Sequence, residues 1–210
     1  MNTTFKTLSI AAALAASLGL AGCAANAGSG SSMPMDHGSS GAMSSSMPSA
    51  GNLPSAGDDH NQADIMFAQM MIPHHSQAVE MSDIVLAKSD VPAEVTALAT
   101  RIKGAQAPEI KQMTGWLSGW GAPTAMSDHS GHGMTGMVDD AGIDKLKSAS
   151  GTEAAKLFLE QMIGHHEGAI NMAQQEISAG KSPEAVKLGH GIVDAQQAEI
   201  TQMKQLLAAL

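Results

Sequence analysis

The feature that most constrains this chain is an internal duplication. Met71-Ile72-Pro73-His74-His75-Ser76-Gln77-Ala78-Val79-Glu80-Met81 returns 91 residues later as Met162-Ile163-Gly164-His165-His166-Glu167-Gly168-Ala169-Ile170-Asn171-Met172, identical at 6 of 11 positions. Ala105-Gln106-Ala107-Pro108-Glu109-Ile110-Lys111-Gln112-Met113 returns 90 residues later as Ala195-Gln196-Gln197-Ala198-Glu199-Ile200-Thr201-Gln202-Met203, identical at 6 of 9. Both blocks lie in stretches of helical period. At 100° per residue, Phe67, Met70, Ala78, Met81 and Val85 fall within about 40° of His74. Val95, Ala99, Ile102, Ile110, Met113, Leu117 and Trp120 fall within about 40° of Gln106. The pattern predicts long helices over about 61–88, 92–120, 152–179 and 183–209, and a short one near 140–148. Ser89-Asp90-Val91-Pro92 ends one helix and opens the next, and Gly180 and Pro183 do the same in the second copy. A helical hairpin duplicated once gives four long helices. That is too few for a solenoid and the right number for an antiparallel four-helix bundle about a pseudo-two-fold axis. An all-α chain also suits a composition with only 2% aromatic residues and no Tyr, since strands favour aromatics.

The duplication keeps polar residues where the helices should be apolar. His74 and His165 lie at the centre of their stripes, as do Gln106 and Gln196, while Glu109 and Glu199 sit about 60° to one side. Burying such groups costs free energy unless each finds a partner. A hydrogen-bonded network that fixes helix register is one answer. Metal ligation is the other. Imidazole suits Cu, Zn, Fe and Ni, and thioethers select soft Cu(I). Met70 and Met81 flank His74, Met71 lies one turn before His75, Met162 one turn before His166, and Met172 two turns after His165. Met113 and Met203 follow Glu109 and Glu199 by one turn. On this reading His74, His75, Met70, Met71, Met81, Glu109, Met113, His165, His166, Met162, Met172, Glu199 and Met203 are candidate ligands, with Gln106 and Gln196 supporting them. Core filling explains any single Met. It explains less well the Met residues of the polar segments, where there is no core to fill. Pro73 removes one backbone hydrogen bond just before the His pair, and Gly164 takes its place in the copy. Both loosen the helix, either to make room for a ligand or as tolerated defects.

The flanking segments suggest where such a protein works. Residues 1–22 read as a secretory leader, with Lys6 ahead of an apolar run from Leu8 to Leu20 that is too short for a confident membrane span. The run ends Leu20-Ala21-Gly22-Cys23, which resembles the lipobox of bacterial lipoproteins, cut before the Cys and lipidated on it. An ordinary signal peptide with a chance Cys is the alternative. Cys23 is the only cysteine, which excludes an internal disulfide and any CxxC site. Residues 23–59 form a tether expected to be disordered, with Gly and Ser supplying 16 of the 36 residues after the Cys. The tether carries Met33, Met35, His37, Met43 and Met47, and the linker at 121–151 carries Met126, His129, His132, Met134 and Met137. These could capture metal ahead of the 60–210 domain, or could be harmless drift in spacers. Eleven Lys and Arg against twenty Asp and Glu give a formal charge of −9, which argues against nucleic acid as a partner.

The chain has no Glu-x-x-His pair for a carboxylate-bridged di-iron site, no His-Glu-x-x-His, no Gly-x-Ser-x-Gly elbow and no Gly-rich phosphate loop. The doubled His-His-x-x-Ala-x-x-Met block, each followed by Ala-Gln-x-x-Glu-Ile-x-Gln-Met, resembles the bacterial family catalogued as domain of unknown function 305, over about residues 60–210. That resemblance implies a ferritin-like fold, export, and association with copper binding and copper tolerance. It places the family's motif on His74, His75, Met81, Gln106, Glu109, Met113, His165, His166, Met172, Gln196, Glu199 and Met203. Pro73 matches the family's Met-Ile-Pro-His-His form, from which Gly164 departs. The leading expectation is therefore an exported, membrane-anchored protein that sequesters or hands over copper, Cu(I) before Cu(II), with affinity falling below about pH 6 as His protonates. A copper redox enzyme, such as one dismutating superoxide, is the second expectation. A metal-free interaction module of the envelope is the third. His190 aligns with Thr100 and is assigned no role.

Overall fold

A computed structural model describes residues 59–125 and 135–210. They form five helices and no strand: α1 (Gln62–Leu86), α2 (Ala93–Gly119), α3 (Asp140–Ser148), α4 (Gly151–Ala179) and α5 (Pro183–Ala209). The helix ends are set by local chemistry. Asn61 and Asp64 make a capping box at the start of α1, each side chain bonding the other's backbone N–H. Ser182 caps α5 by accepting from Ala185 N–H, with Pro183 opening the helix. At the end of α2, Gly121 at φ 67° allows Ala122 N–H to reach the Leu117 carbonyl and Gly121 N–H the Ser118 carbonyl, a Schellman stop. Pro73 does not interrupt α1, which stays helical through it, and α2 likewise passes through Pro108.

Asp64 does more than cap α1. Its carboxylate also accepts from the backbone N–H of Lys181 at 3.1 Å and of Ser182 at 2.9 Å, in the α4–α5 turn. Asn61 Nδ2 donates to the Ala179 carbonyl at 2.8 Å. The start of α1 is thereby tied to the end of α4, so the two helices run antiparallel. They form the central pair. α1 packs on α2, α4 on α5, and α3 lies over α1 and α4, while α2 and α5 share no extensive backbone contact.

The buried apolar residues form two clusters. One contains Met81, Ile102, Phe158, Met162, Ile200 and Met203, and the other Phe67, Met71, Met113, Ala169, Met172 and Ile192. Along each long helix the polar residues fall between the two, apart from Ile170 of the first cluster, which lies beyond them on α4. His74 and His75 separate Met71 from Ala78, His165 and His166 separate Met162 from Ala169, Gln106 separates Ile102 from Met113, and Gln196 separates Ile192 from Ile200. The duplication exchanges the clusters, since Met71, Met113 and Met172 correspond to Met162, Met203 and Met81.

The chain between α2 and α3 is fastened over the central pair at both sides of the undescribed residues. Gln69 Nε2 donates to the Pro123 carbonyl at 2.7 Å. The Gln77 amide pairs in both directions with the Val138 backbone at 2.8 Å. Between them Thr135 and Gly136 lie directly on α4. A Cβ at Gly168 would collide with the Thr135 carbonyl oxygen, whereas one at Gly164 would meet nothing within 4 Å. Gly168→Ala should therefore lower stability by about 1–3 kcal/mol through overpacking. Gly164→Ala should raise it by about 0.5–1 kcal/mol through helix propensity. Urea unfolding of the two variants checks this opposition in sign.

Candidate metal centre

Four imidazoles and two amides fill the level between the clusters. His74, His75, His165 and His166 are fully buried, and Gln106 and Gln196 nearly so. The rings of His74 and His165 meet across the α1–α4 interface, with centroids 3.7 Å apart and planes tilted by 37°. His75 Nε2 lies 2.7 Å from Glu109 Oε2, and His166 Nε2 lies 2.7 Å from Glu199 Oε2. Each Glu comes from the hairpin partner of its His, so the two copies make the same bond. When a carboxylate accepts from Nε2–H, Nδ1 is left with its lone pair free. Glu109 and Glu199 are partly exposed and bring water-accessible carboxylates to the edge of the buried layer.

Most of the layer has no partner. Both ring nitrogens of His74 and of His165, Nδ1 of His75 and of His166, both amide atoms of Gln106 and Oε1 of Gln196 are buried without a hydrogen bond. Leaving such a group unsatisfied costs about 1–3 kcal/mol. This donor set fits a bound metal, because neutral imidazoles with free lone pairs are what metal ligation requires. Burial, with the neighbouring His75 and His166 adding to it, holds His74 down at about pKa 3, while the nearby Thr135 backbone, outside hydrogen-bonding geometry, acts weakly in the opposite sense. Burial and the other three imidazoles hold His165 at about 2. Among the described residues, however, no three His, Cys, Asp or Glu groups converge at coordination spacing. A metal held here would draw on thioethers or on a turn of the stacked rings.

The Met residues singled out by sequence divide into three settings. Met71, Met81, Met113, Met162 and Met203 are fully buried in the two clusters, Met71 and Met162 one turn from His75 and His166. Met70 and Met172 line a pocket between the start of α1 and the end of α4. Met137 lines a groove beside Pro73 and Gln77. Cys23, Met33, Met35, His37, Met43, Met47, Met126, His129, His132 and Met134 lie outside the described residues. His190 is exposed on α5.

Sequence reasoning passed over three residues of consequence. Asp64 was legible as the N3 member of a capping box, but its second bond set to the α4–α5 turn was not. Met66 and Glu176 could have been found by asking where the copies disagree, since they align with Leu157 and Val85. Burial, reinforced by the adjacent Asp64 carboxyl, pushes Glu176 up to about 8. Burial also raises Asp64, but Glu176 and the backbone N–H groups of Ser182, Asn61 and Lys181 outweigh it and hold Asp64 below the usual carboxylate range.

The family model for the domain of unknown function DUF305 matches residues 64–207. The chain belongs to the DUF305 family. A DUF305 protein from Streptomyces coelicolor, named as secreted, is 39% identical, with 70% of this chain and 93% of that one covered and a TM-score of 0.66. A DUF305 fragment from Deinococcus radiodurans is 31% identical over 71% of this chain and 98% of the other, also at 0.66. CopM, solved in Cu(II)-bound and Cu(I)-bound forms, is 36% and 34% identical in the two structures, with 70% of this chain and 96% of CopM covered and a TM-score of 0.60 in each. None of the curated proteins is similar to this DUF305 chain. No helix among its described residues is long and apolar enough to cross a membrane.

The buried His pair makes stability depend on acid. Their folded pKa values lie below the unfolded value of 6.5, so the unfolded chain binds more protons in between. Metal-free protein should be fully stabilised by them above pH 6.5 and lose that stability progressively as pH falls toward about 3. Glu176 acts oppositely, since its folded pKa lies above 4.5 and its contribution is lost as pH rises through about 8. Urea midpoints measured across pH should show the acid loss diminished in His74→Leu/His165→Leu and the alkaline loss diminished in Glu176→Gln.

Proposed function

We propose that this DUF305 protein is an exported, membrane-tethered copper-binding protein that sequesters copper or hands it on. The observation that carries the reading is the duplicated buried layer: nine unpartnered nitrogen and oxygen atoms from four His and two Gln side chains, bordered by buried thioethers on both sides. Structures of CopM with Cu(I) and Cu(II), at 34–36% identity, support copper as the metal. The four long helices are read as a ferritin-like bundle whose mid-level is the metal layer. His74, His165 and the free Nδ1 atoms of His75 and His166 are the nitrogen donors. Met71, Met113, Met162 and Met203 supply sulfur, which favours Cu(I). Glu109 and Glu199 act by orienting His75 and His166 rather than by binding, as carboxylates behind metal-bound His commonly do. Residues 1–22 are the signal, Cys23 the lipid anchor, residues 23–59 the tether, and the Met and His of the tether and of the linker an outer capture set.

Burial changes one expectation drawn from sequence. Exposed His would release copper as pH falls below about 6, but rings held neutral down to about pH 3 compete with protons only at lower pH.

Anaerobic competition titration of the chain from Ala24 onward, with Cu(I) against a chelator, tests the assignment. Removal of residues 24–59 should leave the tightest binding intact. His74→Ala/His165→Ala should abolish it, and Glu109→Gln/Glu199→Gln should weaken it by about 10–100-fold. Loss of tight binding with the tail alone would make the layer a scaffold. No competitive binding at all would return the protein to a metal-free interaction module. Turnover of superoxide beyond that of free copper, lost in the His variants, would make it an enzyme.

A further inference from the structure

The seam between α1 and α4 differs at its two ends. Toward the end of α1 and the start of α4 it is closed. Met81, Val85 and Phe158 are fully buried there, and α3 lies over them with Ile143 and Leu146 in the same cluster. Gln161 Nε2 bonds the Gly142 carbonyl at 2.9 Å, fastening α3 down. Toward the start of α1 and the end of α4, a pocket of about 330 Å³ opens, lined by Met66, Phe67, Met70, Met172 and Glu176 with smaller neighbours.

The duplication supplies the comparison. Phe67 corresponds to Phe158 and Met172 to Met81, so part of both ends is the same. Met66, however, replaces Leu157, Met70 replaces Gln161, and Glu176 replaces Val85. Equivalent helix positions thus carry one thioether at the closed end and three at the open end, with a carboxyl in place of a valine. Core filling does not account for this. Met66 is 46% exposed and fills nothing that a leucine would not. Glu176 is 1% exposed, and the polar group beside it is another carboxyl, that of Asp64. Two adjoining carboxyls in an apolar surround share a proton in the metal-free protein, and a cation can take that proton's place.

We infer that this pocket is a second soft-cation site, in which the thioethers of Met66, Met70 and Met172 take a Cu(I)-class ion beside the Glu176 carboxyl. Three sulfurs in an apolar surround select a polarizable monovalent ion over hard cations. Unbranched Met side chains have the freedom to converge on an ion smaller than the pocket. The site opens to solvent and shares its helix faces with the His layer. Met70 stands one turn before His74, and Met172 two turns after His165. It is an outer station on the way to the centre. The inference shares with the proposed function the premise that the protein takes a soft metal, and the test separates the two.

The test is a titration of the full chain, labelled with ¹³C at its Met methyls, with Ag(I) as a diamagnetic probe. Methyl signals are assigned by single Met→Leu substitutions, and His ring signals are followed in the same samples. The methyls of Met66, Met70 and Met172 should move together, at lower Ag(I) than that of Met81, their closed-end reference. Met66→Leu should weaken the response of the Met172 methyl tenfold or more, and Glu176→Gln should also weaken it. Movement of the His signals while the three methyls stay fixed would overturn the outer site and leave the proposed function standing. Movement of the three methyls with silent His rings would keep the outer site and sink the His layer as a metal centre. An unchanged Met172 response in Met66→Leu would overturn the outer site as drawn.

Discussion

Nine nitrogen and oxygen atoms of His and Gln side chains lie buried at mid-height between the helices without hydrogen-bond partners, and the rest of the structure is arranged around their cost. Each is worth about 1–3 kcal/mol of destabilisation when left unmet. Two apolar clusters, one on each side of the layer, offset that cost. The layer also joins the helices. The His74–His165 stack sets α1 against α4, and the two His–Glu bonds tie each of those helices to its own hairpin partner. Removing the imidazoles would therefore relieve a desolvation penalty and release three helix contacts at once. That combination is unusual for groups whose only task is register, where partners are normally complete.

The centre of the molecule is symmetric and its ends are not. At the centre the two copies repeat the same His–Glu bond at the same 2.7 Å. At one end α3 closes the seam. At the other Asp64 and Asn61 gather the α4–α5 turn onto the start of α1 and leave the Met-lined pocket beside it. Duplication gives a fold two equivalent ends for nothing. Among the described residues, one end of the α1–α4 seam is closed and the other bears a pocket lined with sulfur. The linker is consistent with this. Gln69 and Gln77 fasten its two described edges over Pro73 and His74, and Gly168 lets Thr135 lie flat on α4.

Helix positions were legible because apolar period and the Gly and Pro residues between the helices agreed over the described residues. α3 matches the short helix placed at 140–148, and the long helices end within two residues of their expected limits. The central His and Gln residues were legible for the opposite reason: they violate the apolar stripe at the same place in both copies. Three things were hidden. Pro73 looked like a loosening of the helix, yet α1 runs unbroken through it. The partners of Glu109 and Glu199, candidate ligands from the repeat, could not be read from sequence. Only the direction of the His75 and His166 rings shows that these carboxylates face Nε2. Glu176 gave no sign in its own helix, and its meaning depends on Asp64, more than a hundred residues away in sequence, reaching back across the α4–α5 turn.

Burial also decides which cation the layer can accept. A proton would place a localised charge on an imidazole surrounded by three others and by thioethers, so the layer refuses it until strongly acid pH. The carboxylates that could balance such a charge, Glu109 and Glu199, are already engaged by His75 and His166. A soft metal ion presents the same formal charge differently, shared among polarizable sulfur and nitrogen donors. In the proposed reading, the layer separates copper from protons by how charge is distributed rather than by how much there is. The geometry that makes His74 and His165 poor bases is then the geometry that keeps them free as ligands.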